Sequence, residues 1–154
     1  QVLLAHADTS GSPELFAEAL AAIEKMGVPA ARQGWLKSMK QRLVGIEADI
    51  AAAEILRRID ASDAESRSVA VNKLLAMKRA GRIPTDRMAV RFWEVLLNHA
   101  ENTEDPALFA EAIAAIEKSG VPAAKTEWLE RMKLRLKALE FMKSRKAAEA
   151  RRKK

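Results

Sequence analysis

Apolar residues recur at alternating spacings of three and four along two long stretches of the chain. In the first, Leu36, Met39, Leu43, Ile46, Ile50 and Ala53 make one continuous stripe. In the second, Leu129, Met132, Leu136 and Leu139 keep the same seam before charged residues take over. This is the spacing of one face of an α-helix. Prolines, glycines and capping residues divide the rest. Ser12-Pro13-Glu14 places a capping side chain before a first-turn proline, with an acid where the helix dipole favours it, and Gly27 supplies a left-handed stop. Asp105-Pro106 opens and Gly120 closes a second helix in the same grammar. Ser62 with Glu65 reads as a capping box for a helix that ends before Gly81, and Thr85 caps a further helix reaching about Glu101. The pattern predicts helices near 1–8, 13–26, 30–60, 63–80, 86–102, 106–119 and 123–150, and it contains no alternating β-branched run. Connections this short predict that consecutive helices pack as antiparallel hairpins.

The chain also repeats itself. Val2–Leu43 aligns without a gap onto Val95–Leu136, at a constant offset of 93 positions and with 27 of 42 residues identical. Duplication of helical hairpins predicts an all-α architecture in which the hairpins stack as a short solenoid or an irregular bundle, since no hairpin buries both of its faces alone. The reading is a single helical-repeat domain over 1–142, its duplicated blocks 2–43 and 95–136 joined by helices within 44–94, followed by a basic helix end or tail over 143–154. The match also makes the first residues the end of a helix equivalent to the one before Asp105. The first residue is Gln1 rather than methionine, which predicts a processed or partial chain.

Composition narrows the chemistry. Alanine dominates the apolar half of the chain, tyrosine is absent, and there is no cysteine, which excludes disulfides, thiolate metal sites and cysteine catalysis. No apolar run approaches the ~18–20 residues of a membrane span. The net charge of +6 is unevenly placed: Lys143–Lys154 holds seven basic residues and one acid, whereas the preceding 142 residues carry 20 of each sign. The tail residues Lys143, Arg145, Lys146, Arg151, Arg152, Lys153 and Lys154 are therefore the candidate contacts for RNA or an acidic partner, neutralising phosphates without reading sequence.

Trp35 and Trp128 occupy equivalent positions in the two copies, and Trp93 is a third at a similar phase. Large aromatics in a chain this poor in them are expected as core anchors, with anchoring of a partner as the functional alternative. His6 and His99, also equivalents, lie near helix ends and lack the spacing of a metal site or a triad. The acids Glu18, Glu24, Glu111 and Glu117 read as solvated charge, and no glycine-rich phosphate loop occurs. No catalytic, metal-binding or cofactor-binding constellation emerges.

Three stretches, LLAMKRAGRIPTDRMAVRFWEVLLNHA (74–100), AIEKSGVPAAKTEWLERM (115–132) and AIEKMGVPAARQGWLKSM (22–39), resemble the helix–Gly–turn–helix junctions of pentatricopeptide- and tetratricopeptide-type repeat proteins. The glycines stand 54 and 39 residues apart, against a family period of about 35. Tryptophan falls at or beside the position where RNA-reading members of the family carry a small polar residue. The resemblance implies a stacked helical scaffold and leans toward a mitochondrion or plastid. Together these features lead to the expectation of a non-catalytic scaffold or accessory subunit that contacts other protein subunits of a larger assembly, with RNA binding through the array and the basic arm as the alternative.

Overall fold

A computed structural model describes residues 5, 6, 9, 11–61 and 63–153, and the chain it shows is all-helical, with no strand among those residues. Six α-helices follow in order: α1 (Pro13–Lys25), α2 (Gln33–Ala61), α3 (Ala64–Arg79), α4 (Asp86–Asn102), α5 (Pro106–Lys118) and α6 (Thr126–Arg152). Residues 5, 6 and 9 are helical as well; the remainder of the helix expected near 1–8 lies outside the described residues. The two long helices begin three residues later than the stripe predicts. Pro29 and Pro122 each start a single 3₁₀ turn, Ala30–Arg32 and Ala123–Lys125, closed by Arg32 N–H donating to the Pro29 carbonyl and Lys125 N–H to that of Pro122, both at 2.8 Å.

The caps explain the boundaries. Ser12 accepts from Leu15 N–H, and its equivalent Asp105 accepts from Ala107 and Leu108 N–H, so the two copies use different residue types for the same purpose. Gly27, Gly81 and Gly120 follow their helices in the left-handed region, at φ 82°, 70° and 80°. Glu104 takes up the same backbone conformation, at φ 52°, in the α4–α5 turn, where the first copy has Gly11 at φ 65°. Two expectations need correction. The N-cap of α3 is Asp63, which accepts from Ser66 N–H at 2.8 Å; Ser62 lies outside the described residues. Thr85 is the N-cap residue of α4, but its side chain caps nothing: the hydroxyl donates to Asp49 of α2 at 2.6 Å, and its amide donates to the same carboxylate. A carboxylate from a neighbouring helix thus holds the start of α4.

Each helix packs on the next, and α2 also packs on α4. The apolar residues separate into two cores. The larger joins the second half of α2 to α3, α4, α5 and the start of α6, around Leu74, Phe92, Leu96, Leu97, Phe109 and Ile116. The smaller holds α1 against the first half of α2, through Phe16, Ala19, Leu20 and Leu36 with Met39, Leu43 and Ile46 beside them. Among the described residues no polar or charged side chain is buried.

The continuous stripe on α2 is also corrected. Leu36, Met39, Leu43 and Ile46 face α1, but Ala48, Ala52 and Leu56 then face the larger core. At about 100° per residue these two sets lie on opposite sides of the helix. Ile50 stays on the first side and is half exposed. The reason is length: α1 has 13 residues against 29 in α2, so it covers about half of that side, and α3 and α4 take up the other side further along. The seam on α6 is simpler, since Leu129, Met132, Leu136 and Leu139 all pack into the larger core.

Candidate functional site

The duplication allows one surface to be compared with its own equivalent. Lys40–Glu24 ties α2 to α1, and Lys133–Glu117 ties α6 to α5 at the matching positions, both at 2.5 Å. Glu117 and then Glu130 hold the Lys133 ammonium above the ordinary lysine value by accepting its hydrogen bonds. The inner faces of the two hairpins are likewise matched: Phe16 and Phe109, Ala19 and Ala112, and Leu36 and Leu129 are all buried.

The outer faces differ. In the second copy α4 lies along α5, the most extensive helix–helix packing among the described residues, and Phe92 and Trp93 join the same apolar cluster as Ile116, Val121 and Trp128. The Phe92 and Trp93 rings meet edge to face, with centroids 5.3 Å apart and planes at 88°. Glu94 accepts from Lys125 at the entry to α6, and Glu101 from Arg135 further along. In the first copy the equivalent residues are more exposed. Leu15 is 45% exposed where Leu108 is 9%. Ile23 is half-buried where Ile116 is fully enclosed, and Trp35 is exposed where Trp128 packs into the larger core. Ile23, Met26, Gly27, Val28, Pro29, Arg32 and Trp35 line a groove of about 250 Å³ between the end of α1 and the start of α2. Met26, at the groove rim, is 78% exposed.

The three tryptophans therefore occupy three environments. Trp93 is a buried core anchor, Trp128 is partly buried at the edge of the same core, and Trp35 belongs to neither core and faces the groove. Sequence reasoning treated Trp35 and Trp128 alike and passed over Met26, Val28 and Arg32. A signal was present: exposed Met26 stands where the second copy has Ser119.

The basic residues Lys143, Arg145, Lys146, Arg151, Arg152 and Lys153 extend α6 as an exposed helix; Lys154 lies outside the described residues. Lys146 reaches back to Glu104 in the α4–α5 turn, and Arg145 pairs with Glu149 one helical turn on. Leu134, Phe141 and Met142 add exposed apolar surface to the same helix. Of the acids expected on the surface, Glu24, Glu117 and Glu111 form ion pairs, the last with Lys78 of α3. His6 is exposed, while His99 lines a groove of about 400 Å³ of mixed character, with Arg67, Arg91 and Asn98 beside Ile59, Val71 and Val95, in which Arg91 is held by Asp60. Among the described residues no group of three or more histidines or acids is placed to hold a metal ion, and no helix is long and apolar enough to cross a membrane. Comparison with family models, curated proteins and solved structures gave no match.

Proposed function

We propose that this protein is a non-catalytic helical scaffold, an accessory subunit that binds other protein subunits through the outer face of its α1–α2 hairpin. On this reading the hairpins α1–α2, α3–α4 and α5–α6 stack as a short solenoid, and the first of them presents the exposed residues Leu15, Met26 and Trp35. The observation that supports it is the contrast between the copies: residues enclosed by α4 on α5–α6 stand open on α1–α2, with Leu15 and Leu108 as the clearest pair. A surface of large apolar residues bordered by charge is the signature of a contact site on a helical protein. The test is size fractionation of a native extract, followed by detection of this chain with and without nuclease treatment. The scaffold reading expects a heavy, nuclease-resistant particle; a chain that runs alone at about its own mass refutes it.

A second reading, RNA binding by the array and the basic arm, is favoured by the exposed helical extension that carries Lys143, Arg145, Lys146, Arg151, Arg152 and Lys153. It expects RNA affinity that falls steeply with salt and weakens when 143–154 is removed. A heavy fraction that collapses under nuclease would support it over the first reading.

A further inference from the structure

The outer side of α3 carries opposite charges at a fixed spacing around an exposed valine. Glu65, Val69 and Lys73 follow one another at intervals of four, so they form one ridge along the helix. The ridge borders a groove of about 470 Å³ between α2 and α3, lined by Ile55, Val69 and Ala70 with the charged Arg58, Glu65 and Lys73. Val69 is 52% exposed, and Ser66 and Ala76 on the same helix are exposed and small, so a second backbone can approach closely.

We propose that this groove receives α3 of a second copy of the chain, antiparallel and across a two-fold axis at Val69. The order of the charges selects the occupant. Glu65 and Lys73 are eight residues apart, roughly 12 Å along the axis, too far to pair with each other. Neither has an ion-pair partner among the described residues, whereas Arg58 is held by Glu54 at 2.6 Å. The groove therefore offers one acid and one base at equal distances on either side of the valine. That order is its own complement. Reversed about Val69, a second α3 sets its Lys73 against Glu65 and its Glu65 against Lys73, with valine against valine. A parallel copy would set like charges together, so charge favours the closed arrangement. Burial of Val69 and Ile55 supplies the attraction, and the two ion pairs fix direction and register. This face is separate from the α1–α2 surface of the scaffold reading, so the two proposals stand or fall independently.

The test is sedimentation velocity of the purified full chain over a range of concentrations, since a contact of this size belongs at the weak end of protein interfaces. A concentration-dependent shift from the mass of one chain to that of two is expected. Val69→Glu, which sets two carboxylates face to face at the axis, should weaken the dimer about tenfold or more. Lys73→Glu leaves only acids at the two ends of the ridge and Glu65→Lys leaves only bases, so each of these chains alone should stay monomeric. Mixed in equal amounts they should form a heterodimer, because each acid then meets a base. All three positions are exposed, and circular dichroism checks that each variant keeps its helices. In this cysteine-free chain, a single Val69→Cys should link two copies on mild oxidation, whereas Met26→Cys, more exposed but at the end of α1, should not.

A chain that remains monomeric at every concentration overturns the proposal. A dimer indifferent to Val69→Glu overturns it too, since the contact then lies elsewhere. Failure of the two charge variants to pair when mixed removes the antiparallel register. A monomeric chain whose Val69→Cys thiol links to a different protein in a native extract would assign the groove to that protein instead of a second copy.

Discussion

Leu15 and Leu108 provide an internally controlled measurement of what α4 contributes. Both sit at the third position of a 13-residue helix that opens with proline, and both are followed by the same Phe-Ala-Glu-Ala sequence. Truncating either to alanine changes helix propensity and the unfolded chain equally, so the difference between the two variants isolates coverage in the folded state. Leu108 is 9% exposed and Leu15 45% exposed. Full burial of a leucine side chain stabilises by about 1.5–3 kcal/mol, and an enclosed site adds a cavity term when it is emptied. Leu108→Ala, which leaves a hole in the larger core, is therefore expected to cost about 3 kcal/mol. Leu15→Ala, whose site opens to water and leaves no cavity, is expected to cost about 1 kcal/mol. The assay is urea unfolding of the full chain followed by helical circular dichroism, with stability taken from midpoint and slope. Equal costs, within about 0.5 kcal/mol, would refute the claim that the two outer faces differ in coverage.

Further expectations follow from the same structure. Amides of α1 should exchange with solvent faster than the equivalent amides of α5, because α1 belongs to the small core of four buried residues, whereas α5 lies between α4 and α6 in the larger one; equal protection factors would contradict the two-core description. Glu104 pays for a left-handed backbone that glycine adopts freely, so in a Lys146→Ala background, where their ion pair is already lost, Glu104→Gly should stabilise by about 1 kcal/mol while Glu104→Ala should not. Thermal melts distinguish the two, since about 1 kcal/mol corresponds to a rise of roughly 2–4 °C in a chain of this size. The hydrogen bond from Ser66 N–H holds the Asp63 carboxyl below the usual aspartate range. A depressed folded value means that this cap contributes fully above the ordinary value of 3.8 and is lost as pH falls through the lower folded value. Asp63→Asn, which keeps an acceptor but cannot titrate, should flatten that acid limb, and a carboxyl that titrates at its ordinary value by NMR would show the cap to be unformed.

Helix identity and approximate length were determined by the sequence, because the signals are local. Periodicity, a capping side chain before proline, and a glycine free to turn left-handed act within a few residues of the boundary they set, and all six helices end within two residues of where these signals put them, while the two long ones begin three residues late. Where local signals compete, the tertiary contact decided. Thr85 is a capping residue by type, yet its hydroxyl goes to Asp49 on another helix. The stripe on α2 runs on through Ile50 in the sequence, but burial moves to the opposite side of the helix where α1 ends and α3 and α4 take over.

The candidate site lies wholly on the tertiary side of this division. Leu15 and Leu108, Ile23 and Ile116, and Trp35 and Trp128 are the same residue types in matching segments, so no local rule separates the member of each pair that is covered from the one that is open. Burial depends on which helices lie across the hairpin, and for α5–α6 that is α4, whose second half, from Val95 onward, belongs to the repeated match. The sequence determined what each hairpin is, since a hairpin is built from short-range turns and caps. Only the tertiary structure decided that Leu108, Ile116 and Trp128 pack into the larger core together with α4 while Leu15 and Trp35 stay exposed.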